Sequence, residues 1–309
     1  MCDFQLLLVA GTHGNEINAP FLIEQWKSNR SIINSSDLKI IHEIGNPKAF
    51  NAMKRYIDQD LNRSFQNDLS KYSNNCSYEL ERANTLLSKY GLNGKDPCQI
   101  AIDLHTTTAS MGSSLVIYGR RPVDLALASL LQNRLGLPVY VHQNDPKQKG
   151  FLVEAWPCGL VIEIGPVAQS LIDISIVKQY IIILNILFEE IAKVINSNAS
   201  FPESLIVYSH LGSIDFPRDS EDKITALIHP DIYSYNWKTI KNGHPLFLKS
   251  NGVVIRFDRN KYPDDHNICP VFINEAAYAE KNIAMSITSR EKLIFSESWH
   301  QELKKLILD

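Results

Sequence analysis

The chain has 309 residues, of which 44% are hydrophobic and 21% are charged, a balance that is typical of globular proteins and excludes a disordered or fibrous chain. Its 31 basic and 34 acidic residues leave a net charge of −3, which argues against a surface built for nucleic acid or for a membrane. The length allows one large domain or two ordinary ones.

The first two thirds of the chain alternate short apolar runs with helical patterns, as α/β domains do. Strands are predicted at residues 6–9, 38–41, 100–104, 115–118, 139–142 and 160–164. Helices are predicted at residues 16–27, 78–90, 123–135 and 170–195. This order predicts a mainly parallel or mixed sheet that is flanked by helices.

The pattern changes at a polar cluster of turn-forming residues, 196–202. Short β-like runs follow, and turn signals such as Asn242-Gly243 separate them. These runs lie at residues 205–208, 253–257, 271–273 and 283–287. We therefore predict a catalytic α/β domain over residues 1–202 and a smaller β-rich domain over residues 203–309.

Signals for a membrane or for secretion are not recognisable in the sequence. The most apolar stretch, residues 171–195, contains charged residues and predicts a long amphipathic helix. The first residues lack a basic region, and the five cysteines form no CxxC pair. We therefore expect a cytoplasmic protein without a disulfide framework or a cysteine zinc site.

Two candidate metal ligands, His13 and Glu16, follow the first predicted strand. Ligands of open α/β sheets bind at this carboxyl edge, and one helical turn could aim both side chains at a common point. An imidazole nitrogen and a carboxylate oxygen suit Zn²⁺. The pair is equally compatible with a helix cap beside an exposed histidine.

A third candidate ligand, His105, ends another apolar strand. Catalytic zinc sites commonly have three protein ligands and an open position, and two histidines with one glutamate form a known set. Asp103 could orient the imidazole as its hydrogen-bond partner. The alternative is that Asp103 and His105 cap the next element.

Glu163 lies near the end of another apolar strand, where an unpaired carboxylate is unusual. It could be a general base with a raised pKa beside a metal-bound water, or part of an internal salt bridge. The arginine-containing segment 54–65 could recognise anionic groups, or it could be a solvated loop. We assign the remaining histidines to the surface or to packing: His42, His142, His210, His229, His244, His266 and His300.

Taken together, these segments resemble the aspartoacylase family of zinc amidohydrolases, which is related to the zinc carboxypeptidases and to succinylglutamate desuccinylase. The resemblance covers residues 5–285 and implies a zinc-carboxypeptidase-like mixed sheet. It also implies hydrolysis of N-acetyl-L-aspartate to acetate and L-aspartate. The matching stretches are residues 11–16, 55–58, 60–63, 103–107, 162–166, 216–219, 228–230 and 271–278.

Carried over residue by residue, the resemblance implies that His13, Glu16 and His105 hold one Zn²⁺ per chain. It makes Glu163 the general base that activates the water and then the acid that protonates the leaving amine. Arg55 would polarise the scissile carbonyl together with the metal.

The resemblance also implies how the substrate, a small N-acyl amino acid, is held. Asn62 and Arg63 would bind a carboxylate, and Tyr278 would reach in from the second domain. Arg55 and Glu163 would contact the substrate as well. A homodimer is compatible with the family, although no residue pattern indicates one.

The sequence departs from the family in the loop before the general base. Aspartate-specific members carry another arginine there, but no arginine occurs between Arg134 and Glu163. The loop offers Lys147, Lys149 and the apolar residues 151–153, and lysine lacks the bidentate fork of arginine.

This departure leaves the substrate open. Either other groups hold the second carboxylate, or the enzyme is a related desuccinylase, peptidase or acylase for aromatic amino acids. A non-enzymatic metal-binding protein is a third interpretation. Structural zinc sites usually have four ligands and are rich in cysteine, so the predicted set argues against it.

Overall fold

The structure, a computed structural model, describes residues 4–35, 38–65, 77–143, 148–263 and 267–308. In chain order, its strands are β1 (Gln5–Ala10), β2 (Lys39–Ile44), β3 (Ile100–Thr106), β4 (Ser113–Tyr118), β5 (Val139–His142), β6 (Cys158–Ile164), β7 (Ser204–Ile214), β8 (Ala226–Ile228), β9 (Pro245–Lys249), β10 (Val254–Arg256), β11 (Asn267–Val271) and β12 (Met285–Ile294). The α-helices are α1 (Asn18–Ser28), α2 (Pro47–Asn51), α3 (Tyr78–Tyr90), α4 (Pro122–Leu135), α5 (Ile174–Ile195) and α6 (Glu297–Leu308).

Nine strands form one mixed sheet in the order β11-β12-β7-β5-β4-β6-β3-β1-β2. Its half around β1 is parallel, β4 runs antiparallel to β6, and β7, β12 and β11 pair antiparallel with one another. A small antiparallel sheet follows the order β10-β9-β8. The predicted fold class is confirmed: a mixed sheet flanked by helices, with a smaller β-rich part near the C-terminus.

The main sheet is covered on both faces, which explains why its parallel strands are almost continuously apolar. Along β1, Leu6 and Leu8 join a core formed with helices α1, α4, α5 and α6, while Leu7 and Val9 join a second core, which includes helix α3, on the opposite face. This alternation follows from the two-residue period of a strand. Both faces of the site-bearing strands are therefore held by packing.

Helix α5 confirms the predicted amphipathic helix but begins later than expected, at Ile174. The Asp173 side chain caps it by accepting a hydrogen bond from the Ser175 backbone N–H at 2.7 Å. Within the described residues, no helix is both long and apolar enough to cross a membrane.

The prediction that residues 16–27 form a helix needs one correction that matters for the site. Helix α1 begins at Asn18, so His13 and Glu16 lie in a turn before it rather than on a helix. In this turn the Glu16 N–H donates to the His13 carbonyl at 3.1 Å. A Cβ at Gly14 would lie 2.1 Å from the Ala49 backbone, so the turn requires glycine where it packs against α2.

The C-terminal part also differs from its predicted runs. Strand β11 ends at Val271, so most of the predicted run 271–273 lies beyond it. Phe272 there has a φ of 52°, in the left-handed region that no strand uses. Strands β8 and β9 and helix α6 were not predicted.

The domain boundary between residues 202 and 203 stays a prediction. Strand β7 pairs in parallel with β5, so the main sheet continues across this point. Strands β12 and β11 then extend the same sheet beyond β7.

Candidate active site

The predicted site residues come together at one edge of the main sheet, where β1, β3 and β6 end. Strands of parallel sheets present their carboxyl ends at the same edge, where ligands usually bind. All eight of the residues proposed for metal, catalysis or substrate line one pocket, namely His13, Glu16, Arg55, Asn62, Arg63, His105, Glu163 and Tyr278.

The three predicted metal ligands face one another inside the protein. His13 Nδ1 lies 2.6 Å from Glu16 Oε1, and His105 Nδ1 lies 3.1 Å from Glu16 Oε2. All three residues are buried, and their candidate ligand atoms lie within 4.8 Å of one another. Burial opposes ionisation of Glu16, but the charges of His13 and His105 outweigh it and lower the pKa of this carboxyl.

Each imidazole contacts a second carboxylate through Nε2, the ring nitrogen that does not face Glu16. His105 Nε2 lies 2.7 Å from Asp103 Oδ2, the contact that the sequence suggested, and the Thr12 hydroxyl donates to Asp103 Oδ1 at 2.7 Å. His13 Nε2 lies 3.1 Å from Asp60 Oδ1. Such contacts fix the orientation of a histidine and leave its other nitrogen for a metal.

The donor set fits Zn²⁺. It offers two imidazole nitrogens and one carboxylate, and three protein ligands leave a coordination position open, as in catalytic zinc sites. Among the described residues, this is the one cluster of three or more His, Cys, Asp or Glu side chains that could hold a metal ion.

Glu163 stands beside this set on the neighbouring strand. It is in register with His105 across β3 and β6. Burial raises its pKa well above the usual value, and the charges of Glu16 and Glu275 add to the shift, while those of His105 and Arg55 oppose it. A carboxyl whose pKa is raised in this way can exchange a proton near neutral pH.

Arg55 enters the pocket from the loop after α2. Its guanidinium lies 3.5 Å from carboxylate oxygens of Glu16 and of Asp60, and 2.8 Å from His13 Nε2. The buried Nε–H of Arg55 has no hydrogen-bond acceptor in the described part of the chain. A donor in this position is available to a ligand.

A buried carboxylate, Glu79 at the start of α3, holds the loop that carries Arg55. Its oxygens accept hydrogen bonds from the backbone N–H groups of Ile57, Asp58 and Gln59 at 2.7, 3.0 and 3.2 Å. No sequence pattern singled out Glu79, because its partners lie about twenty residues earlier in the chain.

The residues assigned to the substrate occupy the next part of the wall. The Asn62 side-chain oxygen accepts the Leu152 N–H at 2.8 Å. Arg63 donates to the Asn62 carbonyl at 2.6 Å and to Gln148 Oε1 at 2.8 Å, and its guanidinium lies 3.9 Å above the Phe151 ring.

Tyr278 comes from the C-terminal part of the chain. Its hydroxyl lies 3.1 Å from Ser286 Oγ, and burial raises its pKa. Tyr278 lies on the three-ten turn 276–281, which Glu275 holds in place. One carboxylate oxygen of Glu275 accepts the Ala277 N–H of the turn, and the other accepts the Thr108 N–H at 2.7 Å and the Ala109 N–H at 3.1 Å. The Thr107 hydroxyl also donates to Glu275.

The remaining wall of the pocket is largely aromatic, and it includes a histidine that was not predicted to belong to the site. His142 packs in the interior, one of the two positions expected for it, but it also lines the pocket, with its ring centroid 5.2 Å from that of Phe151. Tyr118, Tyr140 and Phe272 complete this aromatic wall. The position of His142 at the end of β5 was the available signal.

Of the two lysines in the loop before Glu163, the one that the structure describes does not line the pocket. Lys149 is exposed and is not among the lining residues. Lys147 lies outside the described residues, as does His266.

Family models match both parts of the chain. The succinylglutamate desuccinylase/aspartoacylase catalytic domain matches residues 3–187, and the AstE/AspA barrel-sandwich hybrid domain matches residues 203–290. Proteins named "Probable aspartoacylase" from two strains of Prochlorococcus marinus are 54% and 53% identical over 307 residues, with 99% of each chain covered.

Solved structures have the same fold. Murine aminoacylase 3 matches with a TM-score of 0.83 and 25% identity, covering 96% of this chain and 98% of that one. The succinylglutamate desuccinylase from Chromobacterium violaceum matches with a TM-score of 0.62 and 16% identity, covering 93% and 85%. At that identity, the second likeness concerns the fold alone.

Proposed function

The chain belongs to the succinylglutamate desuccinylase/aspartoacylase family of amidohydrolases, and we propose that it is a zinc-dependent aspartoacylase. It would hydrolyse N-acetyl-L-aspartate to acetate and L-aspartate. The observation that carries this proposal is the pocket that combines the His13, Glu16 and His105 set with Glu163 and Arg63.

In the proposed reaction, water adds to the acyl carbon and the C–N bond breaks. When held by His13, Glu16 and His105, Zn²⁺ supplies Lewis acidity, which polarises a carbonyl and makes water more acidic. Glu163 accepts the proton that the attacking water loses and gives it to the leaving amine nitrogen. Arg55 donates hydrogen bonds to the oxygen on which negative charge develops.

The substrate is held by its amino-acid part. Arg63 matches a carboxylate with its planar fork, and the Asn62 side chain and the Tyr278 hydroxyl add hydrogen bonds. Arg63 is fixed by its contacts with Gln148 and Phe151, so little conformational freedom is lost on binding.

The test is metal analysis of the purified protein together with acetate release from N-acetyl-L-aspartate. We expect one zinc per chain, loss of acetate release after chelation and its recovery with added zinc. Bound zinc without acetate release would contradict the substrate. Acetate release that persists after complete removal of metal would contradict zinc dependence.

A second candidate is an acylase for aromatic N-acyl amino acids, favoured by the aromatic wall of Tyr118, Tyr140, Phe151 and Phe272. A panel of N-acetyl-L-aspartate, N-acetyl-L-tyrosine and N-succinyl-L-glutamate separates the two candidates and the desuccinylase reaction. The highest kcat/KM for N-acetyl-L-tyrosine would replace the first proposal by the second.

We also propose that the enzyme acts in the cytoplasm, as a homodimer. The described cysteines Cys98, Cys158 and Cys269 are free and buried, as expected in a reducing compartment. Cell fractionation tests the location, and light scattering in solution tests the dimer.

A further inference from the structure

We infer that Lys281 is the specificity-determining residue that binds the side-chain carboxylate of a dicarboxylic N-acyl amino acid, while Arg63 binds the other carboxylate. This inference rests on the proposed function. Lys281 would take the place of the arginine that is missing before Glu163, which makes the proposed substrate specificity more definite.

Lys281 is built into the wall of the pocket. It is the last residue of the three-ten turn 276–281, which also carries Tyr278. The next residue, Asn282, has a left-handed φ of 57° and accepts a hydrogen bond from Arg218 at 2.9 Å. The Glu275 side chain fixes the start of the turn by accepting the Ala277 N–H at 3.0 Å. The backbone thus holds Lys281 towards the pocket at both ends of the turn.

The cations of the pocket differ in their anionic partners. Arg55 lies near carboxylates of Glu16, Asp60 and Glu280. The hydrogen bonds and ring contact of Arg63 involve only neutral groups among the described residues. Lys281 Nζ is 4.0 Å from Asp60 Oδ2, too far for a hydrogen bond, and the side chain is only 22% exposed.

Arg63 and Lys281 are therefore two positive groups that share a sheltered space. Burial and the charges of Arg63 and Arg55 lower the pKa of Lys281 to about 8, while Asp60 and Glu280 oppose the shift. A ligand with two carboxylates would give each of these two cations an anionic group to bind, whereas a ligand with one carboxylate would do so for only one of them. The arrangement thus favours a dianionic substrate.

Among the described residues, no other cation is placed for this role. The lysine and arginine residues that line the described pocket are Arg55, Arg63 and Lys281. Arg55 is neutralised by its carboxylates, and Lys149 of the loop before Glu163 is exposed outside the lining. Within the described part of the chain, Lys281 is the remaining pocket residue with the required charge.

The experiment compares N-acetyl-L-aspartate with N-acetyl-L-asparagine, which has nearly the same shape but lacks the second charge, on the zinc-loaded enzyme. We expect Lys281→Met to lower kcat/KM for N-acetyl-L-aspartate roughly 10- to 100-fold, the range for a lost hydrogen bond to a charged group. The asparagine substrate should be unaffected, and Lys281→Arg should retain most of the activity on N-acetyl-L-aspartate.

The matched control is Lys261→Met, because Lys261 is also the last residue of a three-ten turn but is exposed and outside the pocket. Equal losses on both substrates, or no loss on N-acetyl-L-aspartate, would overturn the role of Lys281. Failure of the proposed function would instead appear in the unmodified enzyme, as absence of acetate release. In that case, calorimetric binding of L-aspartate and L-asparagine to the same variants decides the inference.

Discussion

Two glutamates that line the same pocket, the buried Glu16 and the half-buried Glu163, have opposite pKa shifts. Burial disfavours the charged form of both, but at Glu16 the two histidines outweigh it and lower the pKa. At Glu163 burial dominates and Glu16 itself adds repulsion, so the pKa is raised. Pairs of carboxyl groups whose pKa values are shifted apart in this way commonly have different roles in catalysis. Here Glu16 suits a metal, and Glu163 suits proton transfer.

The residue-scale prediction concerns Glu163→Gln, which keeps the shape of the side chain but cannot accept the proton of water. We expect kcat to fall roughly 10²- to 10⁴-fold, the usual contribution of general acid–base catalysis. The zinc content should stay unchanged, because Glu163 is outside the ligand set. Steady-state kinetics with metal analysis measure both, and Glu297→Gln, at an exposed position, is the control. Near-normal turnover would remove Glu163 from the mechanism.

At the scale of elements, helix α3 organises a loop that is remote from it in sequence. The Glu79 carboxylate accepts three backbone N–H groups of the loop and also the Asn46 side chain at 2.9 Å. A buried carboxylate is stabilised when several donors satisfy it. The loop carrying Arg55 and Asp60 is thereby held in one conformation.

We predict that Glu79→Gln lowers kcat about tenfold and the free energy of unfolding by about 1–3 kcal/mol, because an amide group would face an unsatisfied N–H donor. The control Glu81→Gln lies in the same helical turn but is exposed. Chemical denaturation and kinetics give the two values. If both glutamine variants behave alike, the loop does not depend on Glu79.

A second prediction at this scale concerns His42 on β2, which packs 4.4 Å from the Trp26 ring of α1. Burial, with the charges of Arg30 and Lys27, lowers the pKa of His42 from 6.5 to about 4. The folded state therefore favours neutral His42, and its stability falls as the pH drops below 6.5 towards 4.

In His42→Asn this contribution to acid sensitivity is removed. Between neutral pH and about pH 5, we expect the Tm of the variant to decrease less than that of the unmodified protein. Thermal unfolding at both pH values is the measurement. An equal decrease in both proteins would show that His42 titrates similarly in the folded and unfolded chains.

At the scale of the whole molecule, the C-terminal third completes both the sheet and the site. Strands β7, β12 and β11 extend the main sheet, and the turn 276–281 supplies Tyr278 and Lys281 to the pocket. Glu275 joins this turn to the loop after β3 through the N–H groups of Thr108 and Ala109.

We predict that Glu275→Gln lowers both kcat/KM and the free energy of unfolding. Expressed as a free energy, the loss in kcat/KM should be at least as large as the loss in stability, because Tyr278 and Lys281 are no longer held in position. Loss of one buried charged hydrogen bond corresponds to about 1.5–3 kcal/mol. Glu302→Gln, at an exposed position of α6, is the control. Normal kinetics in a destabilised Glu275 variant would limit the residue to a structural role.

Local patterns in the sequence determined much of the fold. Helix α3 was predicted with both its ends, because its apolar positions repeat with helical spacing. The structure adds that the Ser77 side chain caps its start. The candidate ligands were found because they follow buried strands. The turn that holds His13 and Glu16 was mistaken for the first turn of a helix, since the same spacing fits both.

The sequence by itself thus determined the fold class, the family and the candidate ligands, since periodicity, strand ends and short motifs are local. Only the tertiary structure decided the groups that hold and complete the site. Asp60 reaches His13 across 47 residues, and Glu275 reaches Thr107 across 168. Lys281 faces the pocket because the last strands fold back onto the main sheet. Packing sets such contacts, and no spacing along the chain encodes them.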